Sequence, residues 1–469
     1  MTTPAAGHAV DIPHACEPTT LERPAAAPAQ TGGQRPDRKG GRLIGVDVAR
    51  GIALLGMMAV HLFSPATPDG DMSLPWIIAA GKSAALFAVL AGVGIAFSAG
   101  RDRLQGRRHA AVAVSLVVRA VIIGVVGLLI GSLVHLDAAR VILPYYAVLF
   151  VLAIPLLRLR VRSLALLGAA VAVLMPVASH VLRADLPTPP LGNPGLGRLL
   201  EDGTGLLTQL SLTGVYPALP WLAYLCVGMA VGRSRLSSRG VVIRLTVAGI
   251  ALAVAASAAS WFALDFLDGR APLEAAALET MSPEEYTDLV VWGGAGTLPT
   301  TTPWWLAVLA PHTSTPVDLA YTIGTSLAAL GVAILLGRVW GRVLTPLAKA
   351  GSMTFTLYVA HLLMLAAPLS AGSEALDFAI QVAVVVGFAV LWGRRFGRGP
   401  LESVVWRATR RTKALVMGRA GGPGEGPRAQ PVLARRAGGS HVPLHARPNS
   451  AWRMHLAERC QPPTHARQP

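Results

Sequence analysis

Charged residues are what this 469-residue sequence has least of: 14% are Asp, Glu, Lys or Arg, against roughly a quarter in soluble globular domains. A shortage on that scale excludes an ordinary water-exposed surface. Cysteine is scarce too. Cys16, Cys226 and Cys460 stand far apart, with no CxxC pair and no histidine cluster, which argues against both a disulfide framework and a zinc site, so no metal is expected. Walker, HExxH and GxSxG motifs are missing, which removes ATP-driven transport and the common hydrolase sites. Carboxylates other than Asp47 are nearly absent from the apolar segments, so a proton-relay pump is poorly supplied. The first 42 residues lack the apolar run of a signal peptide, and the first apolar segment is expected to remain as an anchor. Although the formal charge is +16, no basic stretch is interleaved with aromatics, so a nucleic-acid surface is not expected.

What the chain does have is apolar length. Hydrophobic residues make up 53% of it and fall into ten windows: 43–63, 75–99, 110–134, 141–157, 163–182, 216–232, 245–267, 318–337, 352–370 and 375–393. Windows of about 20 residues predict membrane-crossing helices. The expected fold is all-α, a polytopic transmembrane bundle of about ten spans covering 43–393. Residues 1–42 and 394–469, rich in Pro, Gly and Arg, read as disordered basic tails.

Connections on one side hold Arg101, Arg103, Arg107, Arg108, Arg158, Arg160, Arg162, Arg233, Arg235, Arg239, Arg244, Arg338, Arg342 and Lys349. The other side holds only Arg140, Arg183, Arg198 and Arg270. That bias predicts cytoplasmic N- and C-termini. Two outer connections are long, 183–215 and the glutamate-rich 268–317. In the second, Ser282-Pro283-Glu284-Glu285 reads as a capping box opening a short helix. Gly124, Gly127 and Gly131, and Gly228 with Gly232, have the small-residue spacing of close helix packing. The YPALPWLAY run, 216–224, reads as aromatic anchoring at a membrane boundary.

Ionisable groups inside spans are costly and face cavities or partners. The first span, RLIGVDVARGIALLGMMAVHLF, carries three of them: Asp47, Arg50 and His61. At 100° per residue they share one stripe, but Arg50 and His61 lie roughly 16 Å apart along the axis, so they form no compact triad. Asp47 and Arg50 could simply be an i, i+3 pair that seats the helix end. Lys82 falls in the outer half of the second span. Arg119 lies near the middle of the third, where lipid exposure would cost at least about 2.5 kcal/mol. It is expected to face inward, toward Asp137, Asp47 or a bound phosphate. In GSMTFTLYVAHLLML, Thr354, Tyr358 and His361 share a face, with His361 expected near the midplane. A histidine bonded to a neighbouring helix and a passage-lining histidine are both open readings. His312, in APHTSTPVDLAY, is a candidate on the acceptor side, while Thr315 and Asp318 read as a helix start.

The DxxRGxAxxG...H opening, PYYAVLF (144–150), YPALPWLAYLCVGMAVGR, PHTSTPVDL and AGSMTFTLYVAH together resemble bacterial relatives of the heparan-α-glucosaminide N-acetyltransferase family. The resemblance spans most of 42–393. It implies a multi-pass protein of the bacterial plasma membrane that transfers an acyl group, most simply acetyl, from cytoplasmic acetyl-CoA or another acyl-CoA to an envelope glycan or small-molecule acceptor. Membrane enzymes that O-acetylate polysaccharides are similar in having Asp, Arg and His at the separations of Asp47, Arg50 and His61. In that reading Arg50, with Arg119, holds donor phosphates, Asp47 orients Arg50, and His361 and Tyr358 line the acyl passage. The heparan-type enzymes carry a histidine in the outer loop after the first span, but SPATPDGDMSLPW has none. The expected base is therefore His61 in direct transfer. A transporter without covalent chemistry is the alternative, although no internal repeat is evident. A lipid-binding scaffold would explain the basic tails but not the charges within spans.

Overall fold

The computed structural model describes residues 43–100, 104–187, 192–294, 297–367 and 370–418. The expectations for 1–42 and 419–469 lie outside the described residues. All ten apolar windows are helical, and no strand forms among the described residues apart from an isolated bridge between Ala66 and Met72. Helices are what lipid demands, because each backbone N–H and C=O is satisfied within its own segment.

The first part of the chain forms α1 (Ile44–Leu62), the short α2 (Leu74–Ala79), α3 (Lys82–Ala99), α4 (Gly106–Gly131), α5 (Leu143–Leu156) and α6 (Val161–Leu182). The connection after α6 holds α7 (Leu196–Glu201) and α8 (Gly203–Thr208). The helical path continues to Thr213 and meets α9 (Ala218–Arg233) at 54°. Next come α10 (Arg239–Trp261), α11 (Arg270–Leu278), α12 (Pro283–Val291) and α13 (Pro316–Val339). The chain closes with α14 (Thr345–Gly351), α15 (Thr354–Ala366), α16 (Glu374–Arg395) and α17 (Pro400–Gly418). Among the described residues seven helices are long and apolar enough to cross a membrane, or eight counting the bent pair as one span; α5 and α15 are apolar but shorter. The chain is a multi-pass membrane protein.

The surface explains why a bilayer is its solvent. On α4, Val114, Val117, Val121 and Val125 are exposed at steps of three or four residues, while Leu116, Ala120 and Ile123 are buried. The same exposed spacing recurs at Ile243, Val247, Ile250 and Val254 of α10. Bands of this kind would aggregate in water and face lipid in a membrane. The glycines sit where helix backbones meet. A Cβ on Gly228 would run into the Val89 carbonyl, bringing α9 against α3. A Cβ on Gly127 would lie 2.7 Å from Leu143 Cβ, bringing α4 against α5.

The outer connection 268–317 builds a small core of its own around Leu273, Ala277, Tyr286 and Trp305. As expected, Ser282 and Glu285 form a reciprocal capping box at the start of α12. Two expectations are corrected. Tyr216, Trp221 and Tyr224 do not present their rings to lipid as anchors but are buried in the protein, where Trp221 Nε1 donates to Ser314 Oγ (3.0 Å) and Tyr224 OH pairs with Thr322 Oγ1 (2.7 Å). The tail expected from residue 394 is also wrong over 400–418, where α17 packs on α4 and α15.

The exposed band yields a stability prediction. Val121→Arg puts a charge on the lipid face of α4 at a cost of about 2.5 kcal/mol or more, so the insertion equilibrium constant of that helix should fall more than tenfold. Glycosylation mapping of α4 in microsomes reads this directly, and unchanged insertion would mean the face is not lipid-exposed.

Candidate functional site

The α1 stripe is built as its spacing implies. Asp47 is buried, and Arg50 Nη1 donates to Asp47 Oδ1 at 3.2 Å, one turn on. Two glycines make room for the pair. A Cβ on Gly351 at the end of α14 would collide with the Asp47 carbonyl, and one on Gly94 of α3 would lie 3.1 Å from Arg50 Nη2. Arg50 opens into a cavity of about 540 Å³, lined also by Arg119, Tyr146, Phe150, Tyr358 and several residues of α17. The Arg119 guanidinium stands 5.3 Å from the Phe150 ring centroid. Of its expected partners, Asp47 bonds Arg50, and Asp137 is exposed in the loop beyond the far end of α4. Arg119 thus faces inward with no carboxylate within ion-pair distance among the described residues, the Glu402 carboxylate across the same cavity being the acidic group whose charge reaches it.

At the deep end of this cavity stand Met57, Ile142 and Tyr358. The same three residues line a second cavity of about 20 Å³, room for one water-sized group. It holds His61, Arg140, His312, Tyr216 and Ser83. The two ends of the α1 stripe are therefore joined by adjoining cavities that share one wall.

His361 departs from the depth expected of it. Instead of lying short of His61, its Nε2 is 3.0 Å from His61 Nδ1. The ring centroids are 5.3 Å apart with planes within 7°, so the rings meet edge to edge. The reason is the start of α15. Gly351 packs at the level of Asp47 and Gly51, and α15 starts just beyond it at Thr354, so α15 runs beside the second half of α1 and its His361 meets His61. His361 is fully buried, and its Nδ1 lies 2.7 Å from Gln381 Oε1 on α16.

This chain of contacts selects tautomers. With Gln381 Oε1 accepting, His361 Nδ1 carries the proton and donates, so His361 Nε2 must accept. The donor to it is His61 Nδ1–H. His61 Nε2 is then left as the nitrogen with a lone pair, the form a general base needs. Tyr358 OH lies within 3.5 Å of both the Ile142 N–H and the Arg140 carbonyl, contacts at the long limit of hydrogen bonding.

His312 is held under strain. Its φ is +63° and that of Ser314 is +52°, conformations that cost a non-glycine residue on the order of 1–3 kcal/mol. The surroundings enforce them: Ser314 N–H donates to Asp318 Oδ2 (2.9 Å), Thr313 Oγ1 to the Ala310 carbonyl (2.9 Å) and Thr315 Oγ1 to the Val308 carbonyl (2.9 Å). Thr315 also caps α13, as expected. The His312 ring meets Tyr216 edge-on, and its Nδ1 is buried without a hydrogen-bond partner. Burial, reinforced by the Arg140 guanidinium, pushes its pKa down to about 3.

Lys82 stands apart from both cavities; its Nζ donates to the Ile77 carbonyl at 2.7 Å and lies 5.5 Å from the Tyr321 ring centroid. Gln381 was missed in the sequence, although a lone polar residue inside the window 375–393 was its signal. Arg140 counted only as a loop charge, and Tyr216 only as an anchor. Among the described residues no three His, Cys, Asp or Glu side chains stand together as a metal site.

Residues 42–263 match the family model described as "Heparan-alpha-glucosaminide N-acetyltransferase, catalytic". The match includes Asp47, Arg50, His61, Arg119 and Arg140 and ends before His312, α15, α16 and α17. No curated protein matches the chain.

The His312 environment makes stability depend on pH with a definite sign. A folded pKa of about 3, below the ordinary 6.5, means the unfolded chain binds the proton first as pH falls. The neutral ring's contribution is whole above pH 6.5 and is lost progressively toward pH 3. At pH 5 the loss is about 2 kcal/mol. The detergent-solubilised protein should melt lower at pH 5 than at pH 7, and His312→Gln should show a smaller drop; equal drops would refute the assignment.

Proposed function

The chain is a relative of the heparan-α-glucosaminide N-acetyltransferase family, and from that premise we propose that it is a membrane acyltransferase carrying acetyl from cytoplasmic acetyl-CoA to a hydroxyl or amine of an envelope glycan or smaller acceptor. In this reading 43–393 is a ten-span domain whose basic connections face the cytoplasm. The observation that carries it is the order of groups along one route: cations at Arg50 and Arg119, a cavity of about 540 Å³, then the His61–His361 pair behind Met57, Ile142 and Tyr358. The length fits. A pantetheine arm is about as long as four extended residues, ~15 Å, and Arg50 and His61 are roughly 16 Å apart along α1. Phosphates held by Arg50 and Arg119 would bring the thioester to His61.

His61 Nε2 takes the proton from the acceptor. The acceptor oxygen or nitrogen forms its bond to the thioester carbonyl carbon, the C–S bond breaks, and the thiolate leaves with the proton returned from His61. Arg140 would lie beside the developing oxyanion. His361 and Gln381 keep the His61 lone pair on Nε2 throughout, because Nδ1–H stays committed to His361. Transport without covalent chemistry is the second reading, favoured by the 54° break before α9.

Two measurements separate these readings. Acetyl transfer from labelled acetyl-CoA to the envelope fraction of the membranes should fall 10²- to 10⁴-fold in His61→Ala at equal expression. Unchanged transfer sinks the catalytic assignment. Purified protein should bind labelled acetyl-CoA in an Arg50-dependent way, and no binding favours transport.

A further inference from the structure

α17 lies outside the family match and is not apolar enough to span, yet it is built into the large cavity. The chain reaches it through Gly397, whose φ of +78° lets the backbone turn back over the bundle after α16. Its first turn is then locked. The Glu402 carboxylate accepts the backbone N–H groups of Phe355 (2.8 Å) and Thr356 (3.1 Å) and the Thr356 hydroxyl (2.5 Å), and Leu401 N–H donates to Thr356 Oγ1 (3.1 Å). Glu402 thus caps the N-terminus of α15, the helix that carries Tyr358 and His361.

From this anchor, Glu402, Trp406, Thr409 and Lys413 recur every three or four residues and line the cavity as one stripe. The Arg398 guanidinium lies 4.3 Å from the Trp406 ring centroid, with Arg410 5.1 Å away, while 38% of the Trp406 surface remains exposed. Arg50, Arg119, Arg398 and Lys413 therefore meet around one cavity in which the Glu402 carboxylate is already committed to α15. Burial, with Arg119 adding repulsion, holds the Lys413 ammonium below its ordinary pKa, an imbalance that a bound polyanion would relieve. An indole with a guanidinium over it beside a cationic pocket is the chemistry that recognises a nucleotide, with stacking for the base and charge for the phosphates. A phospholipid headgroup shares the phosphate but has no ring to stack there.

We propose that α17 is the nucleotide subsite of the donor, Trp406 with Arg398 stacking on the base while Arg119 and Lys413 take phosphates. The proposal rests on the acyl-CoA reading of the site and deepens it. It makes a helix outside the spanning bundle the element that selects a nucleotide-bearing thioester over a bare pantetheine thioester.

The test uses the full chain in phosphatidylcholine nanodiscs, with CoA, 3′,5′-ADP and 4′-phosphopantetheine as probes in calorimetric titration. Trp406→Ala should weaken CoA and 3′,5′-ADP roughly 5- to 100-fold, in line with the loss of one stacked base. The affinity for 4′-phosphopantetheine should be unchanged, and Trp406→Phe should restore most of the loss. Arg398→Gln should shift the same two ligands, which guards against a Trp406→Ala protein that does not fold. CoA affinity within twofold of wild type in both variants overturns the subsite while leaving the transferase reading intact. Absence of CoA binding in the wild type overturns both. Loss of 3′,5′-ADP binding when phosphatidylglycerol replaces phosphatidylcholine at fixed ionic strength would give the cations to lipid headgroups and overturn the subsite.

Discussion

The hydrogen bond from His61 on α1 to His361 on α15 joins residues three hundred positions apart and decides what each ring can do. An imidazole that accepts at one nitrogen while donating at the other is neutral and of fixed tautomer. Gln381 closes the chain on α16, so three helices share one proton arrangement. Slipping any of them by a residue, roughly 1.5 Å, would break it. The contact between Gly351 and the Asp47 carbonyl sets that register from the other end, since no side chain fits between α14 and α1 there. Helix packing and histidine chemistry are in this sense one constraint.

The charges are sorted along the same axis. Arg50, Arg119 and Lys413 meet around the large cavity, His61, His312 and Arg140 meet around the small one, and Met57, Ile142 and Tyr358 line both. An intramembrane cation facing lipid costs at least about 2.5 kcal/mol, so a cavity is the place where such groups are tolerated. The wall between the cavities has a consequence for transfer chemistry. On the proposed chemistry it would separate the reacting end from the cationic end, disfavouring hydrolysis of a thioester and strengthening the hydrogen bonds at the histidines.

How much of this was legible depended on whether the information was local. The helical windows, the Ser282 and Thr315 caps and the shared face of Asp47, Arg50 and His61 follow from spacing along one helix, and the structure has them. The depth of His361 was not legible, because counting rise from the start of its window ignores the break at Ser352 and Met353 and the level at which Gly351 packs. Tyr216, Trp221 and Tyr224 look like interface aromatics in any one-dimensional reading; only the positions of His312, Ser314 and Thr322 turn them inward. α17 was hidden for a related reason. Its Arg-rich composition reads as tail, and the acceptors and donors that fix it belong to α15, some forty-five residues earlier.

In the proposed transferase, the acceptor end is set by the placement of the histidines. The loop after α1 has none, so an acyl group has no imidazole to rest on there. His61 has one nitrogen committed to His361, and protonation at the other leaves that bond intact, so acting as a base costs the network nothing structurally. His312 offers a neutral ring with an unpartnered nitrogen in the same small cavity, held there by a backbone that four hydrogen bonds keep strained. On the transferase proposal, a neutral His312 beside Arg140 would hold the hydrogen of an acceptor hydroxyl or amine with its lone pair, and His61 would take it. In the proposed reaction, these two histidines face one small cavity behind the Met57–Ile142–Tyr358 wall, the arrangement that direct transfer calls for.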